Sequence, residues 1–224
     1  MGIQIIGNNG VVADVDGTTF RAQRVTIVPK DYGTLGSYRL AMATGTIAAA
    51  LAANGELFQF RWTDATRFAM IRKIIVSGGA NVAASAAAIV TLDATIARSF
   101  TVSGTGGAAA TITGNNCKTR SSMGTTLLGE ARISTTAALG AGTKTLDSHA
   151  VGNYTTGIGT GAITVSPSLP IFNNVELFNF DPGDHPVILA QNEGIVVKNG
   201  AVAWPAGMTW GLGVTIVWSE LTSY

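Results

Sequence analysis

Charge is scarce in this chain. Fourteen Lys and Arg and 13 Asp and Glu make up only 12% of 224 residues. A solitary soluble protein usually carries more charge to stay dispersed. A surface with few ions is easier to bury, because few charges must leave water. The shortage therefore points to an oligomer or a larger assembly, the alternative being a secreted, weakly charged monomer. Charge of one sign is missing too. The net charge is +1, and no block of like charge occurs. Arg61, Arg67, Arg72 and Lys73 lie close together, but Glu56 and Asp64 sit among them. Phosphate neutralisation supplies most of a nucleic-acid binder's affinity, so a nucleic-acid partner is not expected.

Cysteine is nearly absent. Cys117 is the only one, which excludes a disulfide framework within the chain. It lies in a loop-like run, Gly114-Asn115-Asn116-Cys117-Lys118, with no partnered base, and reads as a passive thiol. No apolar run approaches the length of a membrane span. The first residues, Met1 to Gly7, lack the basic region and long apolar run of a secretory signal. The chain is expected to be made in the cytoplasm as a soluble protein with no membrane partner.

Small side chains are abundant. Ala, Gly and Thr together supply 88 residues. Each buries little area, so the core must come from a few bulky runs. The richest spans residues 55–76. Phe58, Phe60 and Trp62 alternate with Leu57, Gln59 and Arg61, the period-2 pattern of a strand with one strongly apolar face. A polar break over 63–66 precedes a second β-rich run with Phe68, Met70, Ile71, Ile74, Ile75 and Val76, and the two read as strands meeting at a turn. Trp210, Leu212, Val214, Ile216 and Trp218 give the clearest strand, five large residues on one face. Further strands are expected in 38–51, 89–100, 127–134, 143–147 and 171–180. A hairpin is expected where Val187-Ile188-Leu189 and Ile195-Val196-Val197 flank Gln191 to Gly194. Residues 78–87 read as loop or short helix. Residues 103–126 read as a long decorated connection, and 150–169 as an exposed loop.

Many short strands with turn signals and almost no helical periodicity predict an all-β fold. The expected architecture is an antiparallel β-sandwich or jelly-roll-like body over 38–224. Residues 1–37 hold short apolar pieces between turns. They read as an extended arm that packs on its own body or on a neighbour.

Motifs of chemistry are sparse. His149 follows Leu146-Asp147-Ser148 and His185 follows Pro182-Gly183-Asp184, but no nucleophile elbow accompanies either. Asp14-Val15-Asp16-Gly17 has the carboxylate alternation of a calcium loop without its later acidic ligand, and reads as a turn. Ser103-Gly104-Thr105-Gly106-Gly107 and Gly157-Ile158-Gly159-Thr160-Gly161 open no helix and hold no Walker lysine, so they read as loops. Among the aromatic residues near the end, Trp204 alone is left as a candidate for an exposed platform. No catalytic residue, cofactor or metal is expected.

The arm GTTFRAQRVTIVPKDYG (17–33), the segment GELFQFRWTDATRFAMIRKI (55–74), the loop GNNCKTRSSMGTTLLGEARIS (114–134) and the tail LAQNEGIVVKNG (189–200) with WGLGVTIVWSE (210–220) together resemble a family of virion structural proteins. These are encoded by tailed bacteriophages and metagenomic phage genomes. The resemblance covers nearly the whole chain and rests on structural motifs. It implies a capsid- or tail-associated component of the virion without enzymatic activity, and a capsid decoration or stabilising role is preferred. The expected partners are other copies of the chain, a homo-oligomer with a trimer favoured, and other virion proteins such as the major capsid protein. The alternative expectation is a tail-fibre or head-fibre module that binds a receptor or carbohydrate through exposed aromatics and the loops at 103–126 or 150–169.

Overall fold

A computed structural model describes residues 5–6, 12–13, 35–160, 169–181 and 185–224. The chain divides into two compact units, Met1–Lys30 and Asp31–Tyr224. In the first unit, β1 (Ile5–Ile6) pairs antiparallel with β2 (Val12–Ala13). Of the rest of the expected arm, Leu35 to Ser37 are described, and Gly36 and Ser37 begin the first strand of the second unit; the remainder, including Asp14 and Asp16, lies outside the described residues.

The second unit is built from strands only, among the described residues. In chain order these are β3 (Gly36–Ala43), β4 (Glu56–Trp62), β5 (Phe68–Ala80), β6 (Ala88–Val102), β7 (Ala108–Ala109) and β8 (Leu128–Ile133). They continue with β9 (Thr143–Leu146), β10 (Gly152–Ile158), β11 (Leu169–Asn179), β12 (Val187–Leu189), β13 (Glu193–Asn199) and β14 (Trp210–Leu221). Sheet I has the order β10-β6-β13-β4-β8-β7, with β9 also beside β6. Sheet II has the order β11-β5-β14-β3, with β12 also beside β5. All pairings between these strands are antiparallel among the described residues, and an isolated parallel bridge joins Ala84 to Thr160. The two sheets face each other across an apolar core, which makes a β-sandwich.

The expected strands form, except that the one expected over 38–51 ends at Ala43 with only an isolated bridge at Ile47 beyond it, and two expected neighbours do not pair. β4 lies in sheet I and β5 in sheet II, so the break at 63–66 carries the chain across the core instead of closing a hairpin. Asp64 shapes this crossing: its Oδ1 accepts from the Thr66 amide at 2.9 Å and the Arg67 amide at 2.8 Å, the Asx geometry that turns a chain. The expected hairpin at 187–197 also crosses. β12 pairs with β5 and β13 with β4 and β6. Gln191 and Asn192 form the corner, with Asn192 in the left-handed region at φ 59°, which Asn tolerates better than most residues. Residues 152–158, expected within a loop, form β10 and pair with β6.

Two aromatic clusters hold the sheets together at the ends of β14. At one end Trp218 stacks on Tyr38 at 5.5 Å and meets Phe60 edge-on at 5.1 Å. These contacts join β14 and β3 of sheet II to β4 of sheet I. At the other end Trp210 stacks on Trp204 at 3.7 Å, and Phe172 of β11 packs against both and against Tyr154 of β10. Such pairs add stabilisation beyond their buried area. Trp204, the expected surface candidate, is therefore core. It is 2% exposed, and its indole N–H donates to Asn199 at 2.9 Å.

Candidate functional site: paired charges and an uncharged end

The outer face of sheet I is covered as well as its inner face. Leu57 and Gln59 of β4 are buried along with Phe58 and Phe60, because the segments around 103–107 and 137–144 fold over them. A small second cluster of Ala97, Phe100 and Val196 packs there, with Leu146 against it. A polar knot lies beside it. Lys144 pairs with Glu56 at 2.8 Å, and both side chains are nearly sealed from water. Gln59 donates to Glu56 at 2.6 Å and to the Gly140 carbonyl at 3.0 Å, and accepts from the Gly104 amide at 2.8 Å. The ammonium of Lys144 also donates to the Ala141 carbonyl and sits 4.8 Å from the Phe100 ring centre. Gly104 is forced by this packing: a Cβ there would lie 1.7 Å from the Gly140 carbonyl oxygen. Gly107 is likewise closely packed, a Cβ there lying 2.1 Å from the Ile133 carbonyl oxygen, whereas Gly106 faces open space and serves the turn with φ 80°.

Other charges on this face are spent on one another. Arg132 grips Glu130, which also faces Arg61 at 3.7 Å. Burial opposes ionisation of Glu130, but bonds from Ser103 and Arg132 and the charges of Arg132 and Arg61 hold its carboxyl below the usual range. Arg98 takes both oxygens of Asp147 and also binds Glu193. Lys198 reaches Asp93 and Asn54. On sheet II, Lys73 pairs with Glu176.

Near the start of β3 a carboxylate is pinned by uncharged donors. Glu220 is 1% exposed. Its Oε1 accepts from the Thr126 hydroxyl at 2.6 Å, the Leu127 amide at 3.0 Å and the Trp218 indole at 3.3 Å. These bonds tie the long 103–126 connection to β14. Burial pushes the Glu220 carboxyl up. Tyr38, whose hydroxyl donates to the Gly124 carbonyl at 3.1 Å, is pushed up to about 12 by burial and by the charge of Glu220.

The residues singled out for chemistry do not converge. His149 is exposed, and the Asp147 beside it is committed to Arg98. His185 meets Tyr224 at 3.1 Å. The Cys117 thiol is pushed up by burial, which disfavours the nucleophilic thiolate. The Cys117 carbonyl instead accepts from the Arg39 amide at 2.8 Å, so its loop straps the outer edge of β3. Among the described residues no three His, Cys, Asp or Glu side chains come close enough to hold a metal ion.

The charged residues are also unevenly distributed. Residues 40–55, 74–92, 150–160 and 199–219 contain no Asp, Glu, Lys or Arg. The strand registers bring the parts of these stretches at 43–54, 81–89, 157–160 and 200–207 to one end of the sandwich, where Ala80 lies beside Trp210 and Ala88 beside Ile158. Hydrogen bonds knit the loops there: Asn54 to Gly200, Trp204 to Leu51, Asn81 to Thr209, Ser85 to Ala206. Asn199, fully buried, donates to the carbonyls of Ala52 and Val202 while accepting from Trp204. Val82, Ile89 and Val202 stand exposed at this end, at 50%, 66% and 56%. A shallow cleft of about 170 Å³, lined by Ala80, Ala84, Thr156, Ile158, Ile171 and Met208, opens beside them. The gaps between charged residues were visible in the sequence; their convergence depends on the strand order.

No family model, curated protein or solved structure matches the chain.

Proposed function

We propose that this chain is a non-enzymatic structural component of a bacteriophage virion, a capsid decoration or stabilising protein that works through contacts between subunits. The observation that carries this reading is the uncharged end of the sandwich. Its backbone is tied down by Asn199 and the loop hydrogen bonds, so little further order is lost when it meets another surface. Few ions need leave water there. The resemblance of the arm, the 55–74 segment, the 114–134 loop and the tail to phage virion proteins supplies the particle. The neighbours are other copies of the chain and the major capsid protein. The glycan-binding alternative loses its best residue, because Trp204 is buried against Trp210.

Imaging labelled protein on purified particles tests the proposal. Copies at regular positions on the capsid shell support it. Label confined to fibres, or no association with particles, overturns the decoration role.

A further inference from the structure

The uncharged end is broad enough to be a whole interface. Its four segments expose about two dozen residues, none charged, against roughly 20–30 residues a side in a stable protein–protein contact. Three large aliphatic side chains, Val82, Ile89 and Val202, are exposed within it. A partner whose binding face carried charge would have to strip water from those ions and find no free counter-charge here, because the Lys198 ammonium beside Asn54 is largely buried and paired with Asp93. An uncharged face is matched by another uncharged face, and this chain supplies one. The opposite end and the outer face of sheet I carry the ion pairs of Arg61, Arg98 and Arg132, so they are poor complements to it.

We propose that the end formed by 43–54, 81–89, 157–160 and 200–207 is the surface through which copies of this chain bind one another, end to like end. The proposal deepens the assembly reading above by naming the surface and its occupant. It does not depend on the particle being a phage. Asn199 and the stacked Trp204 and Trp210 hold the face rigid from beneath, while Val82, Ile89 and Val202 enter the contact. The outer edge of β3 adjoins it: its strapping by the 117–119 segment stops at Arg39, and Ala41 and Ala43 beyond it are exposed.

Substituting exposed positions tests this without disturbing the core. Sedimentation velocity across a wide concentration range is run on the full chain and on Val82→Lys/Val202→Lys, Val82→Glu/Val202→Glu and Val102→Lys. Val102 is 54% exposed but lies at the far end of β6 from Ile89, about 40 Å away at ~3.3 Å per residue. Thermal unfolding confirms that each variant is folded. The expected result is self-association of the parent and of Val102→Lys, weakened roughly 100-fold in each doubly charged variant, since like charges meeting in an interface cost several kcal/mol. An equimolar mixture of the Lys and Glu variants recovers association, which only contact between two such ends produces. A monomeric parent overturns the proposal, as does association that ignores both double variants. Loss of particle binding without any change in self-association also overturns it and assigns the face to a different virion protein. If self-association behaves as expected but the protein is absent from particles, the interface stands and the virion reading falls.

Discussion

Carboxylates in this protein respond to pH in opposite directions, and Glu220 is the sharpest case. Its raised pKa means that the folded chain takes up the proton more readily than the unfolded chain. The fold therefore gains stability from this group as pH falls from the raised value to the ordinary 4.5, and nothing further below it. Asp64 and Glu130 are held low despite their burial, by bonds to Thr66 and Arg67 and by Ser103 and Arg132. Their contribution is present above the ordinary carboxylate range and is lost as pH falls through their folded values. Glu220→Gln keeps an oxygen for the Thr126, Leu127 and Trp218 donors and removes the buried charge. Urea unfolding at neutral pH is expected to show equal or higher stability for this variant, with the acid-side gain at Glu220 abolished. A large loss at neutral pH would show that the ionised form is required. Glu220→Leu strands the donors and should cost about 1–3 kcal/mol for each one left unsatisfied.

Trp218 and Thr215 test the faces of β14 residue by residue. Trp218 is fully buried between Tyr38 and Phe60, so Trp218→Ala should cost about 3–5 kcal/mol. Thr215 lies on the outer face between Ala41 and Ile75 and is only half-buried, so Thr215→Ala should stay within about 0.5–1 kcal/mol. Chemical denaturation of the two variants beside the parent decides it. Equal, small effects would mean that the strand presents no preferred face to the core.

At the scale of elements, faces were legible and partners were not. The alternation at 57–62 and 210–218 identified two central strands, because a half-buried strand must segregate its side chains. The same alternation cannot say which sheet a strand joins. A short polar turn such as 63–66 or 191–192 serves a hairpin or a crossing between sheets equally well, and here both cross. The burial of Leu57 and Gln59 was hidden for a related reason: the covering segments at 103–107 and 137–144 are small-residue loops without a pattern of their own. β10 was missed because its Gly-Asn-Tyr-Thr-Thr-Gly-Ile run holds few bulky groups. Its glycine is what lets β10 close against β11. A Cβ at Gly152 would lie 1.6 Å from the Leu177 carbonyl oxygen, whereas one at Gly157 would meet nothing within 4 Å. Gly152→Ala should destabilise by about 1–3 kcal/mol or more, as overpacking does, and Gly157→Ala should be close to neutral. Amide exchange should show faster opening of β10 and β11 in Gly152→Ala, with β14 least affected. Uniform protection across these strands in both variants would show that the edge adapts freely.

At the scale of the whole molecule, the shortage of charge was readable from composition, but its segregation was not, since four stretches far apart in sequence meet only through the strand order. The first 30 residues pose the remaining question. Met1–Lys30 forms a unit separate from Asp31–Tyr224, and its apolar residues come in short pieces between turns. Ordering a segment of chain costs about 1–2 kcal/mol of backbone entropy per residue, which short apolar pieces offset only where they can bury themselves. Among the described residues, the sandwich has an apolar core whose large buried side chains run from Tyr38 to Leu221. Deleting residues 1–30 is therefore expected to leave the body's thermal unfolding midpoint nearly unchanged while weakening its attachment to particles lacking the protein, or to sister copies. Calorimetry of the truncated chain beside a particle-binding titration separates the outcomes. If the truncated body fails to fold, the first unit belongs to the structural core. If it folds and binds as tightly as the full chain, the tether lies elsewhere, and the uncharged end of the sandwich becomes the first place to look for it.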